Sequence, residues 1–132
     1  MRLLERICRE SGSASVRHDA AYLRTAVWQS RAHPDWIWCE VLNECAFYMA
    51  RRRAGGGLRL IEMAVVEAAH GQGLGRAMCG RLFARAQNAG ITVIQFRTNR
   101  DNSALGFWQK MGGRIMDVNG DDYEMEITLR RQ

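Results

Sequence analysis

The chain has 132 residues, of which 47% are hydrophobic and 25% are charged. That length suffices for one hydrophobic core but not for two, so we expect a single domain over residues 1–132. No apolar run approaches the roughly 18 residues needed to cross a bilayer. Residues 1–6 also lack the apolar core of a signal peptide. These features argue against membrane-spanning and exported classes and favour a cytoplasmic protein.

The net charge is +5, and nearly all of the positive charge is arginine because Lys110 is the only lysine. Arginine binds phosphate bidentately, which suits a phosphorylated cofactor, a nucleic acid or an acidic protein equally well. The four cysteines form no C-x-x-C pair, and no histidine lies at metal-ligand spacing from them. They are Cys8, Cys39, Cys45 and Cys79. We therefore expect reduced, mostly buried thiols and no metal site.

The first half of the chain predicts one helix followed by three strands. Helical composition over residues 18–31 predicts a helix that ends at the His-Pro-Asp sequence of residues 33–35. Three β-rich segments follow, at residues 36–42, 45–51 and 59–66. Short polar and glycine-rich connections separate them, which favours an antiparallel meander.

The second half predicts a βαβ unit, a helix and a hairpin. Residues 76–88 predict a helix whose apolar stripe consists of Ala77, Met78, Leu82, Phe83 and Ala86. Residues 91–96 predict a strand parallel to strand 59–66, because the helix joins the two in a right-handed crossover. A helix at 102–111 follows, and then a hairpin of residues 114–118 and 123–129. The expected fold is α/β (α+β), with a mixed, mostly antiparallel central sheet flanked by helices.

Three alternating glycines, Gly71, Gly73 and Gly75, separate a predicted strand from a predicted helix. Glycine lets the chain turn sharply and leaves main-chain N–H groups open to a phosphate, and the helix adds its positive end. A P-loop is excluded because Gly75 is followed by Arg76 instead of Lys. The dinucleotide fingerprint is excluded because its third glycine would fall on Arg76 or Met78. The loop therefore predicts a site for a diphosphate-bearing ligand of another kind.

Residues 70–75, His-Gly-Gln-Gly-Leu-Gly, resemble motif A of the GNAT family of N-acetyltransferases, written Gln/Arg-x-x-Gly-x-Gly/Ala. His70 stands where the family has Gln or Arg. Residues 101–112, Asp-Asn-Ser-Ala-Leu-Gly-Phe-Trp-Gln-Lys-Met-Gly, resemble the family's second signature, a helix with Asn, Ala, an aromatic pair, Lys and Gly. The family's asparagine maps to Asp101 by spacing or to Asn102 by identity, and Asn102 is preferred. The resemblance covers residues 36–129 and has both motifs in the family's order.

The resemblance implies acetyl-CoA as a co-substrate, with no metal. In this family the acyl-coenzyme A lies where the parallel strand pair splays apart, and backbone amides of the loop grip its pyrophosphate. The residues that would contact the coenzyme are Val65, Val66, His70, Gly71, Gln72, Gly73, Leu74, Gly75, Arg76, Asn102, Phe107, Trp108 and Lys110.

Acetyl transfer to an amine needs a group that removes a proton, because a primary amine with a pKa near ~10 is mostly protonated at neutral pH. Glu62 is the first candidate, since it lies in an otherwise apolar strand just before the expected reaction site. Its alternative interpretation is a solvent-facing residue of a half-exposed strand, and Glu40 and Glu44 are weaker candidates. A backbone N–H at Val65 or Val66 would face the thioester oxygen, so Glu62 and Val65 form the predicted catalytic set.

In many relatives a tyrosine on the last helix protonates the departing thiolate, but here Trp108 takes that position. Because a thiol pKa near ~8.5 lets the thiolate leave without much help, activity is still expected. The predicted function is an acetyl-CoA-dependent N-acetyltransferase that moves an acetyl group to a primary amine by direct attack in a ternary complex. The alternative is an acyl-CoA-binding regulatory or sensor domain with little or no turnover. Trp108 favours it, as does Gly113, where the family usually has Phe.

Acceptor-binding residues in this family come from the first helices and the C-terminal hairpin. The candidates for a pocket that takes a cationic amine are Trp28, Trp36, Trp38, Asp121, Asp122 and Tyr123. The alternative for the tryptophans, and for Phe107 and Trp108, is core packing. The expected partners are a small-molecule or peptide amine acceptor and a second copy of the chain in a homodimer, with no membrane and no nucleic acid.

Overall fold

The structure is a computed structural model that describes residues 28–42, 46–65, 71–101 and 104–130. Its elements in chain order are β1 (Ile37–Leu42), β2 (Ala46–Arg52), β3 (Leu58–Val65), α1 (Leu74–Asn88), β4 (Val93–Asn99), α2 (Leu105–Lys110), β5 (Arg114–Asn119) and β6 (Asp122–Thr128). Residues 28–32 are helical, and residues 18–27 of the predicted first helix lie outside the described residues.

Among the described residues, six strands form one mixed sheet in the order β1-β2-β3-β4-β6-β5. Neighbouring strands are antiparallel except for β3 and β4, which are parallel as predicted. Register pairs in the parallel pair are confined to Leu58 with Ile94 and Arg59 with Gln95. Both strands continue for several residues beyond these pairs, so a gap opens between their carboxyl ends. The predicted fold class is confirmed, including the divergence of the parallel strands.

Helix α1 covers one face of the sheet, hereafter the α1 face. Its buried residues are Met78, Cys79, Leu82 and Ala86, which share one stripe of the helix and join a core with inward residues of the sheet. Burial of one such Met or Leu side chain contributes roughly 1.5–3 kcal/mol. The predicted stripe is wrong at Ala77, which is exposed. Ala77 lies one helical step of about 100° from Met78, on the side away from Cys79.

Helix α2 packs on the α1 face as well, next to β4. Trp108 is 8% exposed, and the centroids of its ring and that of Phe96 are 4.5 Å apart. Core packing is therefore the structural role of Trp108. No helix among the described residues has both the length and the apolar character that passage through a bilayer would demand.

Candidate functional site

The glycine loop ends in a left-handed turn at the amino terminus of α1. Gly71 has φ 83° and Gly73 has φ 76°, a backbone region that other residues rarely adopt. Gly73 is the N-cap residue and has no side chain to cap the first-turn amides, and no acidic residue lies in that turn. A Cβ built on Gly73 meets no atom within 4 Å. The uncapped N–H groups and the open space beside them fit the diphosphate of a coenzyme. Of the neighbouring candidates, Gln72 and Arg76 are exposed and Leu74 is half-buried.

Gly75 differs from Gly71 and Gly73 in its position and backbone conformation. It lies inside α1 and is not in the left-handed region, which is why the helix begins two residues earlier than predicted. A Cβ built on Gly75 would lie 3.4 Å from Cζ of Phe107 in α2. A Cβ at this distance would make an ordinary van der Waals contact, so Gly75 packs beside the Phe107 ring, and its role in opening the backbone to a phosphate stays a prediction.

A β-bulge in β3 decides which way Glu62 points. Met49 of β2 pairs with Glu62, but the next residue, Ala50, pairs with Leu60, so Ile61 is an extra residue. One extra residue reverses the alternation of side chains beyond it. Leu60 belongs to the core of the α1 face. Glu62, which strict alternation would place beside Leu60, lies instead on the opposite face together with Met49.

Glu62 is half-buried on this opposite face, hereafter the Glu62 face. Met63 points the other way, and its Sδ lies 3.8 Å from Sγ of Cys79 in α1. Val65, the last residue of β3, packs partly buried against the core of the α1 face. The candidate base and the candidate coenzyme contact thus lie on opposite faces of β3, near the end where β3 and β4 diverge.

The Glu62 face also carries an ion-pair cluster that sequence analysis missed. Arg59 donates hydrogen bonds to both carboxylate oxygens of Glu124, with 3.3 Å between Nη2 and Oε2. Arg97 Nε donates to the same Oε2 at 3.4 Å. The Arg59 hydrogen bond holds the pKa of Glu124 below its ordinary value, so this carboxylate stays ionised and is poorly suited to accept a proton. No local motif marks the cluster because its members come from β3, β4 and β6.

The weaker base candidate, Glu40, lies on the α1 face, where its carboxylate forms a hydrogen bond and an ion pair. Its carboxylate accepts a hydrogen bond from the Tyr48 hydroxyl and pairs with Arg81 of α1, with 2.9 Å between Oε1 and Nη2. Burial, followed by this hydrogen bond, raises the pKa of Tyr48. Glu40 therefore joins α1 to the meander on the face away from Glu62. Glu44 lies outside the described residues.

The two described cysteines are free thiols. Burial raises the pKa of Cys79 to about 12, and burial together with the charge of Glu40 raises that of Cys39 to about 11. Both thiols are protonated at neutral pH and hence weak nucleophiles. Cys8 and Cys45 lie outside the described residues. Within the described part of the chain, no three His, Cys, Asp or Glu side chains are grouped to hold a metal ion.

The second signature sits on α2, beside the amino terminus of α1. The Phe107 ring is half-buried and meets the Trp108 ring edge-on, with 5.1 Å between centroids. Lys110 is exposed in the last turn of α2, where its charge also interacts favourably with the helix dipole. Three predicted coenzyme contacts lie outside the described residues: Val66, His70 and Asn102.

The three tryptophans proposed for the acceptor pocket differ in their surroundings. Trp38 is 3% exposed, and the Arg85 guanidinium of α1 lies 4.4 Å from its ring centroid, so Trp38 is a core residue. Trp28 and Trp36 are 67% and 54% exposed, so core packing is wrong for these two. The hairpin candidates lie together at or just before the start of β6: Asp121, Asp122 and Tyr123.

An open depression of about 480 Å³ lies at the amino ends of β3 and β4, lined by Arg53, Gly55, Gly56, Gly57, Thr92, Val93 and Gln95. The glycine turn follows the carboxyl end of β3, at the other end of the parallel pair. This depression is therefore separate from the candidate site.

A sequence model described as the acetyltransferase (GNAT) domain matches residues 33–112, more than half of the chain. A search of curated protein sequences found no relative. Among solved structures, PaiA N-acetyltransferase from Thermoplasma acidophilum, in complex with coenzyme A, superposes with a TM-score of 0.82 at 16% identity, covering 96% of this chain and 91% of that one.

Two further structures have the same fold. The ribosomal-protein-S18-alanine N-acetyltransferase from Escherichia coli gives a TM-score of 0.75 at 13% identity, over 99% of this chain and 88% of that one. Ard1 from Thermoplasma volcanium gives 0.71 at 16% identity, over 86% and 82%.

Proposed function

The chain belongs to the GNAT family of acetyltransferases, and from that premise we propose that it transfers an acetyl group from acetyl-CoA to a primary amine by direct attack in a ternary complex. The observation that carries the proposal is the left-handed glycine turn at the amino terminus of α1, beside the gap between β3 and β4. The bound coenzyme supplies an acetyl thioester, whose carbonyl carbon is the electrophile.

On the donor side, the amides from Gln72 to Arg76 hold the diphosphate, and the main chain of Val65 lines the pantetheine arm. The first turn of α1 has no side-chain cap among the described residues, and this supports the first assignment because N–H groups at a helix amino terminus and the helix dipole both favour an anion. The Val65 N–H donates to the thioester oxygen, a kind of interaction that is typically worth a few kcal/mol in the transition state.

On the acceptor side, Glu62 takes the proton of the amine, directly or through water. Its position on the face opposite α1 supports this role, because the amine then approaches the gap from one face while the donor is held from the other. Glu124 on the same face is a poor substitute, since the Arg59 hydrogen bond lowers its pKa. Loss of the thiolate needs no protein acid, because a thiol pKa near ~8.5 makes it a good leaving group.

The donor site is tested by the substitution Gly73→Glu, which places a carboxylate in the space assigned to the diphosphate. We expect acetyl-CoA binding, measured by calorimetry, to be lost. The matched control is Gly90→Glu, because Gly90 also has φ 76° and open space around it but follows the other end of α1. The control carries the same backbone strain and charge and should bind normally. Normal binding by the Gly73 variant would refute the site.

The acceptor side is tested with a panel of amines and detection of the released thiol. We expect turnover with at least one class of amine, and in Glu62→Gln a lower kcat with unchanged affinity for acetyl-CoA. The Glu62 variant should also lose the rise of kcat with pH that deprotonation of a carboxylate produces. Glu40→Gln, altered on the other face, should keep that pH profile. An unaltered profile in Glu62→Gln would remove Glu62 from the mechanism.

The alternative function, a coenzyme-binding sensor with little turnover, is favoured by the burial of Trp108. The position where many relatives have an acid is filled by an indole packed against Phe96. A melting temperature that rises with acetyl-CoA, together with no thiol release across the amine panel, would support this alternative over the enzyme.

A further inference from the structure

Strand β5 is the last of the described strands in the sheet order, and all six of its residues are exposed. Three of them are large and apolar: Ile115, Met116 and Val118 are 41%, 53% and 54% exposed. An edge strand offers unpaired N–H and C=O groups to another strand, and exposed apolar side chains on it favour such pairing. β5 therefore has the properties of an edge strand that pairs with a further strand.

A bulge sorts the side chains of β5 between the two faces of the sheet. The register with β6 shifts between Ile115 and Asp117, which makes Met116 the extra residue. Ile115 and Val118 consequently share one face, and Arg114 and Asp117 share the other. The edge thus has an apolar side and a side with one positive and one negative charge.

We propose that β5 forms a homodimer interface, in which it pairs antiparallel with β5 of a second copy about a two-fold axis between Met116 and Asp117. This axis sets Ile115 opposite Val118 of the second copy, so that apolar side chains meet on the same face. On the other face it brings Arg114 within diagonal reach of Asp117 of the second copy. Each contact occurs twice because a two-fold interface is isologous.

Because β5 is self-complementary, the partner strand we propose is β5 of a second copy of the chain. A strand of another protein would need apolar and charged residues in the same spacing, whereas a two-fold axis provides them automatically. The product is one continuous sheet across two protomers. It involves neither the glycine turn nor Glu62, so it stands or falls independently of the proposed function.

Sedimentation velocity over micromolar to submillimolar concentrations of the full chain tests the proposal. We expect a concentration-dependent dimer in the wild type and a monomer in Val118→Lys, with circular dichroism unchanged because the side chain is exposed. The matched control is Val41→Lys, at an exposed position of β1 on the opposite edge of the sheet, which should still dimerise. A wild-type monomer throughout, or a dimer that Val118→Lys leaves intact, would overturn the proposal.

A charge swap tests the two-fold geometry itself. Asp117→Arg places like charges together twice, and we expect dimerisation about tenfold weaker. The double variant R114D/D117R reverses both charges and should recover dimerisation to within about twofold of the wild type. If the double variant stays as weak as the single one, Arg114 and Asp117 do not meet across the interface and this pairing is wrong.

Discussion

At the scale of single residues, the buried hydroxyl group of Thr98 lowers the stability of the fold. Thr98 in β4 is 5% exposed, and its Oγ1 is buried without a hydrogen-bond partner among the described residues. A buried hydroxyl that forms no hydrogen bond has lost its interactions with water and gained nothing in exchange. The position therefore favours a residue of the same shape without the oxygen.

We expect Thr98→Val to raise the free energy of unfolding by about 1 kcal/mol, because it replaces the hydroxyl by a methyl group of similar size. Urea denaturation measures the change. Thr98→Ser is the control: it keeps the hydroxyl and loses the methyl, so it should destabilise the fold by about 1 kcal/mol. A Val variant less stable than the wild type would mean that the hydroxyl has a partner in solution.

At the scale of elements, the joint between α2 and the strand after it leaves no room for a side chain. A Cβ on Gly113 would lie 2.8 Å from the Trp108 carbonyl oxygen and 3.1 Å from Cε of Met125. The Gly113 N–H donates to that same carbonyl at 2.8 Å. This close contact gives a physical reason for glycine at a position where the family usually has Phe.

We expect Gly113→Ala to lower the free energy of unfolding by roughly 1–3 kcal/mol, since the backbone of α2 must shift to accept the methyl group. Differential scanning calorimetry measures the loss. Gly106→Ala on the same helix is the comparison, because its Cβ would meet nothing within 4 Å and alanine is the better helix former. Equal stability losses in the two variants would contradict the steric explanation.

At the scale of the whole molecule, the sheet is two antiparallel halves joined by a short parallel contact. β1, β2 and β3 form one half, and β4, β6 and β5 the other, with only two register pairs between β3 and β4. The pairing of Arg59 with Glu124 spans this junction, from β3 across β4 to β6. It supports the contact between the halves while leaving the gap open at the other end.

We expect Glu124→Gln to cost roughly 1 kcal/mol of stability at neutral pH. Because the folded-state pKa of Glu124 lies below its ordinary value of 4.5, the contribution is present above that value and is lost as the pH falls through the folded-state pKa. Urea denaturation across this range should show that the difference in unfolding free energy between the wild type and Glu124→Gln decreases as the pH falls. Glu126→Gln, whose side chain lies 3.8 Å from Arg114, should change stability less. A stability difference that persists at acid pH would contradict a stabilising role for ionised Glu124.

The order of the elements was predictable because each depends on local patterns. β-rich segments between short polar and glycine-rich connections, the Asn119-Gly120 turn and the helical stripe of α1 predicted the strands, the final hairpin and the crossover helix, with ends within a few residues of those observed. The glycine turn was equally local, since left-handed backbone at Gly71 and Gly73 needs no distant partner. The larger boundary shifts came at β4, which begins two residues and ends three residues later than predicted, and at α2, which begins three residues later than predicted.

The face of Glu62 and the contact of Gly75 could not be predicted from the chain alone. Glu62 follows Leu58 and Leu60 at alternate positions, a pattern that places all three on one face, and only the register with β2 reveals the bulge that separates them. Gly75 faces Phe107, about thirty residues later. Likewise, nothing local indicated that Trp28 and Trp36 would be exposed while Trp38 is buried.

The sequence by itself determined the elements, their order and the glycine turn, and through them the family. The tertiary structure decided which face each side chain occupies and which strand was left at the edge of the sheet. The physical reason is that backbone conformation responds mainly to near neighbours along the chain, whereas strand register is set by pairing with distant residues. A single extra residue in one strand then reverses the faces of those that follow it.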